Sequence, residues 1–240
     1  MTEFKEALSQ GAAGVGLHVG DEQIERCATY AGLLLEWNRQ VNLTRIVEPR
    51  EMAIKHFIDS ATVLLYDLLP AGARLVDVGT GAGFPGLVLK VLRPDLEVAL
   101  VDSLAKRLRF LEAVVDELKL SDVSIIHARA EDLGRRPEHR EQYDVAVARA
   151  VAELRVLAEY LLPLVKVGGT MVALKGPDVR EEVEGARRAV EVLGGGDAQL
   201  AGLALPFGYG ERTIVWYPKH SMTPAKYPRK AGEPARRPLG

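Results

Sequence analysis

Asp77 opens the pattern Asp-x-Gly-x-Gly-x-Gly, with Gly79, Gly81 and Gly83, inside the stretch LVDVGTGAGFPGLVLK at positions 75–90. An apolar run, a glycine-rich turn and a second apolar run read as strand, loop and helix. A loop without side chains lets backbone come close to a ligand. Gly81, Gly83 and Gly86 also satisfy Gly-x-Gly-x-x-Gly, the dinucleotide spacing, which alone is a weak match. A tight strand-to-helix turn would use the same glycines. Asp77 weighs against pyrophosphate, because a carboxylate repels phosphate, and favours a ligand carrying an ammonium group. Phe84-Pro85 then stiffens the entry to the helix, where proline at the first helical position costs no hydrogen bond.

S-adenosylmethionine meets these demands: adenosine, no phosphate, an α-ammonium and a sulfonium. Asp102 stands 21 residues after Gly81, at the end of the next apolar run, where an acid takes both ribose hydroxyls. A helix N-cap is the other reading of Asp102. At 129–132 the sequence RAED follows a third apolar run, and there backbone amides of Ala130 and the carboxylate of Glu131 can read an adenine edge. The fourth run ends in Ala148-Arg149-Ala150. It lacks the Asn/Asp-Pro-Pro-aromatic pattern that orients exocyclic amines. The lone Cys27, far upstream, is no nucleophile for pyrimidine carbon. Arg149 either bonds the cofactor or a nucleotide, or pairs with Glu131 or Asp132. No general base stands at this strand end or in the Lys175-Gly176-Pro177 turn, which suits an acceptor with a free lone pair, such as guanine N7. Attack on a sulfonium methyl then requires alignment rather than proton removal.

These residues need a scaffold that brings strand ends together. From residue 74 onward apolar strands alternate with helical segments: strands at 75–78, 97–101, 123–126, 144–148 and 170–174, with helices after Pro85 and at 104–120, 153–165 and 179–193. Such alternation predicts a parallel sheet covered on both faces. The strands at 199–205 and 213–217, joined by a loop, predict a closing antiparallel hairpin. Upstream, Ile24, Cys27, Ala28, Ala31, Leu34 and Leu35 recur at helical spacing over 21–40, with Asp21 as the cap. The lead at 11–16 is rich in Gly and Ala, and a second helix is expected over 50–67, stopped by Pro70. The expected architecture is α/β: a Rossmann-like class I methyltransferase with a mostly parallel seven-stranded sheet, a C-terminal antiparallel hairpin and an N-terminal helical extension. The expected division is 1–70 helical extension, 71–218 S-adenosylmethionine-dependent domain and 219–240 basic, proline-containing tail.

The 240 residues are 48% hydrophobic and 27% charged, as in an ordinary soluble globular protein. No apolar run approaches the ~20 residues needed to span a bilayer, and MTEFKEALSQ is not a secretory signal. The single cysteine gives no disulfide and no Cys-x-x-Cys metal site. A cytoplasmic protein without membrane contact or metal is expected, and nothing demands a partner chain, so a monomer is expected. The net charge of −2 hides an asymmetry. Residues 219–240 hold six Lys/Arg and one acid, a charge of +5, leaving 25 basic and 32 acidic residues, or −7, for the rest. A basic tail on an acidic body suggests contact with a polyanion.

The chain resembles the RsmG (GidB) family of bacterial 16S rRNA guanine-N7 methyltransferases. The resemblance rests on WNRQVNLT at 37–44, HFIDS at 56–60, DVGTGAGFPG at 77–86, DSLAKRLRFL at 102–111, RAEDL at 129–133, YDVAVARAVAEL at 143–154 and KYPRKAGEP at 226–234. The glycine motif is generic to methyltransferases; HFIDS, ARAVA and the Arg-Lys-Ala-Gly segment are more specific. The resemblance implies S-adenosylmethionine as cofactor and one guanine of 16S rRNA, free or in the small ribosomal subunit, as acceptor. It implies that Gly79, Phe84, Ala130, Glu131 and Arg149 line the cofactor site, with Asp102, Ser103 and Leu104 beside the ribose.

For the RNA side, His56 and Asp59 are three apart and share one helix face. They either meet the target base, hold the helix over the pocket, or lie on a solvated face. Asp59 and Arg149 are the candidates for a catalytic role. Lys175 is a candidate phosphate contact. In the tail, Tyr227 among Lys226, Arg229 and Lys230, followed by Arg236 and Arg237, mixes a stacking ring with cations, as RNA binding requires. A solubilising tail is the alternative. A small-molecule methyltransferase, a non-catalytic RNA-binding assembly factor with the same fold and, last, a nicotinamide dehydrogenase are the other functional readings.

Overall fold

The computed structural model describes residues 1–240. Seven strands form one sheet: β1 (Arg74–Val78), β2 (Glu97–Asp102), β3 (Val123–His127), β4 (Tyr143–Arg149), β5 (Val165–Lys175), β6 (Gln199–Ala204) and β7 (Glu211–Pro218). Their order is β3-β2-β1-β4-β5-β7-β6. Only β7 runs against the others, pairing antiparallel with both β5 and β6. β6 therefore points the same way as β1–β5, and the loop after it emerges at the same sheet edge as the loops after β1, β2 and β4. The expected α/β class with its C-terminal hairpin is what the chain adopts.

Alternation along the strands fills two cores, since successive side chains point to opposite faces. On one face Leu75, Val98, Leu100, Val145, Val147, Val172 and Ile214 join a cluster of 41 buried residues. On the other, Val76, Val101, Ala146, Ala148, Met171 and Val215 join a cluster of 27. The first face is covered by α1 (Thr2–Gly14), α2 (Asp21–Val41), a composite helix over 49–65, α5 (Gly86–Leu92) and α6 (Ala105–Glu117). The composite helix comprises α3 (Pro49–Met52), a π-helical stretch (Ala53–Ile58), α4 (Asp59–Ala61) and a 3₁₀ turn (Thr62–Leu65). The second face is covered by α7 (Ala130–Leu133), α8 (Leu154–Leu161), α9 (Arg180–Val192) and the C-terminal segment, which includes α10 (Glu233–Arg236). The helices of residues 1–70 thus share their core with the sheet. No helix is long and apolar enough to cross a membrane.

Several expectations change. The Gly/Ala-rich lead belongs to α1, whose Phe4, Ala7, Leu8, Gly11 and Ala12 are buried at helical spacing. Asp21 does not cap α2; the cap is Gly20, whose N–H donates to Gln23 Oε1 at 2.9 Å. Helix α8 stops at Leu161, just ahead of Pro163, which cannot continue a helix, and β5 begins at Val165. Pro85 is the N-cap of α5 rather than its first residue.

The tail is not extended. Lys219 is fully buried, its ammonium donating to Leu162 O (2.6 Å), Thr223 Oγ1 (2.8 Å) and Glu141 Oε1 (3.1 Å). Arg140 donates to the carbonyls of Tyr227 and Thr223, both at 2.7 Å. Arg229 makes a forked pair with the buried Glu159, Nη2–Oε2 2.5 Å and Nε–Oε1 2.9 Å. A cation-rich, proline-rich segment folds here because its charges find buried acids and carbonyls.

Candidate functional site

Backbone at the end of β1 turns across β2: the amides of Gly79 and Thr80 both donate to Val101 O, at 2.8 and 3.1 Å. Gly79, Gly81 and Gly83 have φ of +72°, +62° and +92°, a region that glycine enters without penalty. Asp77 lies fully buried beneath this loop. Its Oδ2 accepts from Thr80 Oγ1 (2.7 Å) and from the Gly86 amide at the start of α5 (2.8 Å). Its Oδ1 is buried without a hydrogen-bond partner. Burial pushes the Asp77 carboxyl up to about 6, against the lowering pull of those two hydrogen bonds and of Arg149. A half-used buried carboxylate is costly unless something completes it.

Beside the loop a cavity of about 310 Å³ opens at the ends of β1, β2, β3 and β4. Gly79, Asp102, Ser103, Ala130 and Glu131 line it, as expected, together with Arg107, Arg129, Ala150, Val151 and Tyr160. Asp102 Oδ2 accepts from the Gly81 amide (3.0 Å) and Arg107 Nη1 (3.1 Å), and Oδ1 from the Leu104 amide (2.9 Å). It therefore fixes both the glycine loop and the entry to α6 while facing the cavity; the N-cap of α6 is Leu104, not Asp102. Leu104 itself is exposed beside the cavity and not in its wall. Glu131 is buried, and its Oε1 accepts from the Gly232 amide at 2.7 Å, so the C-terminal segment braces this wall. The cavity sits at the switch in strand order, where β1 borders both β2 and β4 and where ligands bind in open α/β sheets.

Asp77, Gly81 and Gly83 lie behind the cavity wall and not in it, and Phe84 and Arg149 lie on the other side of the loop. Phe84 stacks between Tyr30 (5.4 Å between centroids) and His56 (4.6 Å), on the helical side of the loop. Arg149 lies over the Phe84 ring at 5.1 Å and reaches into the composite helix. Its Nη1 donates to Asp59 Oδ2 (3.1 Å) and to Lys55 O (3.0 Å), so its partner is Asp59 and neither Glu131 nor Asp132. Asp59 is 4% exposed and also accepts from Arg212 Nε at 3.1 Å. This clasp joins β4, β7 and the helix and engages both oxygens of Asp59. The guanidinium occupies helix carbonyls at the π-helical stretch, a recognised cause of a break in the i→i−4 ladder.

His56 is half-buried. Its Nε2 is 2.8 Å from Thr44 Oγ1, which also accepts from Ile46 N–H, and its Nδ1 faces Arg149 Nη2 at 3.4 Å. Since arginine only donates, Nδ1 accepts and Nε2 carries the proton. Burial, reinforced by the Arg149 charge, holds His56 down to about 3, so it is neutral near pH 7. Both ring nitrogens are engaged, and the imidazole is no free base.

The expected RNA contacts divide. Tyr227 is 9% exposed and Arg229 is held by Glu159, so neither offers a ring face or a free charge to RNA. Lys175 donates to Ala152 O and Glu182 Oε1, both at 2.8 Å, and is likewise occupied. Lys226, Lys230, Arg236 and Arg237 are exposed. Val151 escaped the sequence reading: its Cγ2 lies 2.6 Å from where a Cβ on Gly79 would sit, so it closes over the loop. Ala150 at φ +56° also escaped, since an alanine gives no signal of a left-handed turn.

Comparison with known proteins adds a family. Residues 23–209 match the family model described as GidB, rRNA small subunit methyltransferase G. The chain is 47% identical over 239 residues to the ribosomal RNA small subunit methyltransferase G of Desulforamulus reducens, covering 100% of each. It is 50% identical over 229 residues to the protein of that name from Desulfitobacterium hafniense, covering 94% of this chain and 93% of that one. Among solved structures, P. horikoshii TYW2 in complex with MeSAdo aligns with a TM-score of 0.54 at 16% identity, covering 69% of this chain and 63% of that one. A predicted O-methyltransferase of Agrobacterium tumefaciens gives 0.53 at 16% identity, covering 69% and 80%. At such identities the likeness is one of fold.

Proposed function

Because the chain belongs to the GidB family of rRNA small subunit methyltransferases, we propose that it transfers a methyl group from S-adenosylmethionine to N7 of one guanine in 16S rRNA. The observation that carries the reading is the cavity at the β1–β4 edge, with the buried Asp77 Oδ1 left without a partner beneath its glycine loop. When bound, S-adenosylmethionine supplies a methyl group made electrophilic by the sulfonium. The residues present fit it. Asp77, buried behind the wall at Gly79, places negative charge near the site for an ammonium. Asp102 faces the cavity with its carboxylate already oriented, suited to ribose hydroxyls. The first amides of α7, at Ala130 and Glu131, have no partner within their helix and suit the adenine edge.

The acceptor side supports a lone-pair nucleophile. The polar groups at the end of β4 are committed to one another: Arg149 to Asp59, Asp59 to Arg212, His56 to Thr44. None is free to take a proton, and guanine N7 requires none. These groups hold the helix against the glycine loop, and alignment is the contribution they make. The family also weighs against a small-molecule methyltransferase or a non-catalytic assembly factor. The proposed setting is the cytoplasm, with a single copy acting on rRNA, free or in the small ribosomal subunit.

The test is nucleoside analysis of small-subunit rRNA incubated with the protein and labelled S-adenosylmethionine. Label is expected in 7-methylguanosine alone. Cofactor binding without label in that nucleoside, on rRNA and on particles, overturns the assignment.

A further inference from the structure

The loop between β6 and β7 holds a bulky residue where bulky residues are rare. Phe207 has φ +58° and ψ +24° and is 48% exposed. A non-glycine residue in this region is strained, and such strain clusters at functional sites. The loop is otherwise firmly built: Leu205 is buried, and its amide donates to Gly210 O at 2.8 Å. Cations of the composite helix lie against its aromatic rings. Arg50 sits over Phe207 at 5.1 Å, and Lys55 Nζ over Tyr209 at 5.4 Å. Lys55 also pairs with Glu51, whereas Arg50 pairs with no carboxylate. The loop follows β6 and so leaves the sheet at the edge that carries the cavity. It is tied to the site through Lys55, whose carbonyl accepts from Arg149, and through Arg212, which shares Asp59 with Arg149.

Resting on the proposed rRNA methyl transfer, we propose that Phe207, Arg50 and Tyr209 form a docking ridge for unpaired RNA flanking the target guanine. Phe207 presents its open surface to a base, and Arg50 holds the adjoining phosphate. Aromatic rings interleaved with cations are how proteins grip single-stranded RNA, because every base has a face to stack and every linkage a charge. The left-handed backbone keeps the ring outward when burial would otherwise draw it in.

The experiment uses the full chain with Phe207→Gly, which accepts the positive φ, Phe207→Trp and Arg50→Ala. Methyl transfer is measured at several salt concentrations on deproteinised rRNA and on small-subunit particles. S-adenosylmethionine affinity is measured in parallel. Phe207→Gly is expected to raise KM for rRNA about 10-fold, with kcat and cofactor affinity unchanged, and Phe207→Trp to restore it. Arg50→Ala is expected to raise KM and to reduce the salt slope by about one. Wild-type KM and salt slope in both Phe207→Gly and Arg50→Ala overturn the ridge. So does a defect seen on particles but not on deproteinised rRNA, which assigns the surface to a ribosomal protein. Wild-type protein that methylates no RNA overturns the functional proposal instead.

Discussion

Under the proposed function, Asp77 is the residue whose ionisation couples stability to cofactor binding. Its carboxyl is raised from 3.8 to about 6 by burial. In the ligand-free protein its contribution to stability is therefore fully present below about pH 4 and is lost as pH rises through 6. An ammonium beside Oδ1 reverses the preference, since it favours the charged form. S-adenosylmethionine affinity is expected to fall as pH drops below 6, by roughly tenfold per unit. Asp77→Asn is expected to bind weakly and without that slope; titration calorimetry between pH 5 and 8 reads both. His56 has the opposite sign. Its pKa is depressed from 6.5 to about 3, so its contribution is fully present above 6.5 and is lost as pH falls through the interval below. His56→Gln is expected to flatten the loss of thermal stability between pH 7 and 5 while leaving the kcat profile without a basic limb, as measured by melting and single-turnover rates. The sequence made Asp77 legible, because glycines mark the loop above it. It did not disclose that both nitrogens of His56 are engaged, since one contact comes from Thr44 and the other from Arg149.

Elements are held to one another by a few buried charges. Asp59 receives Arg149 from β4 and Arg212 from β7, and removing it leaves two guanidinium groups facing each other across the composite helix. Asp59→Ala is expected to cost about 3–5 kcal/mol in urea unfolding, the range for a buried pair broken on one side. Asp59→Asn, which keeps one of the two acceptor oxygens, is expected to cost less. The strands and most helices were readable because each carries a clean period. Helix α1 was readable in principle, since Phe4, Ala7, Leu8, Gly11 and Ala12 repeat at helical spacing, but the glycines and alanines of 11–16 made its end read as a lead. The π-helical stretch was not readable at all. It depends on Arg149, 90 positions from Asp59, reaching carbonyls that a local pattern counts as already bonded.

At the scale of the whole molecule, the N-terminal helices and the last 22 residues brace opposite sides of one edge. Tyr30 of α2 donates to Ala82 O in the glycine loop, while Gly232 donates to Glu131 in the cavity wall. Composition shows the tail's charges and hides their partners; Glu159 and Glu141 lie 70 and 78 positions upstream of the cations they bind. Glu159→Ala is expected to release the segment by leaving Arg229 unpaired. Hydrogen exchange over 219–240 should accelerate, stability should fall by about 3 kcal/mol, and S-adenosylmethionine affinity should weaken through Glu131. Exchange as slow as in the wild type would show that the segment is held by its other contacts, from Lys219 and Arg140.

The hydrogen bond from Gly232 to Glu131 makes residues 219–240 a support of the cavity wall. A stop codon after β7 but before residue 232 would leave every strand intact and still strip that wall of its brace. Nonsense and frameshift alleles between codons 219 and 232 are thus expected to behave as loss-of-function alleles, not as harmless clippings.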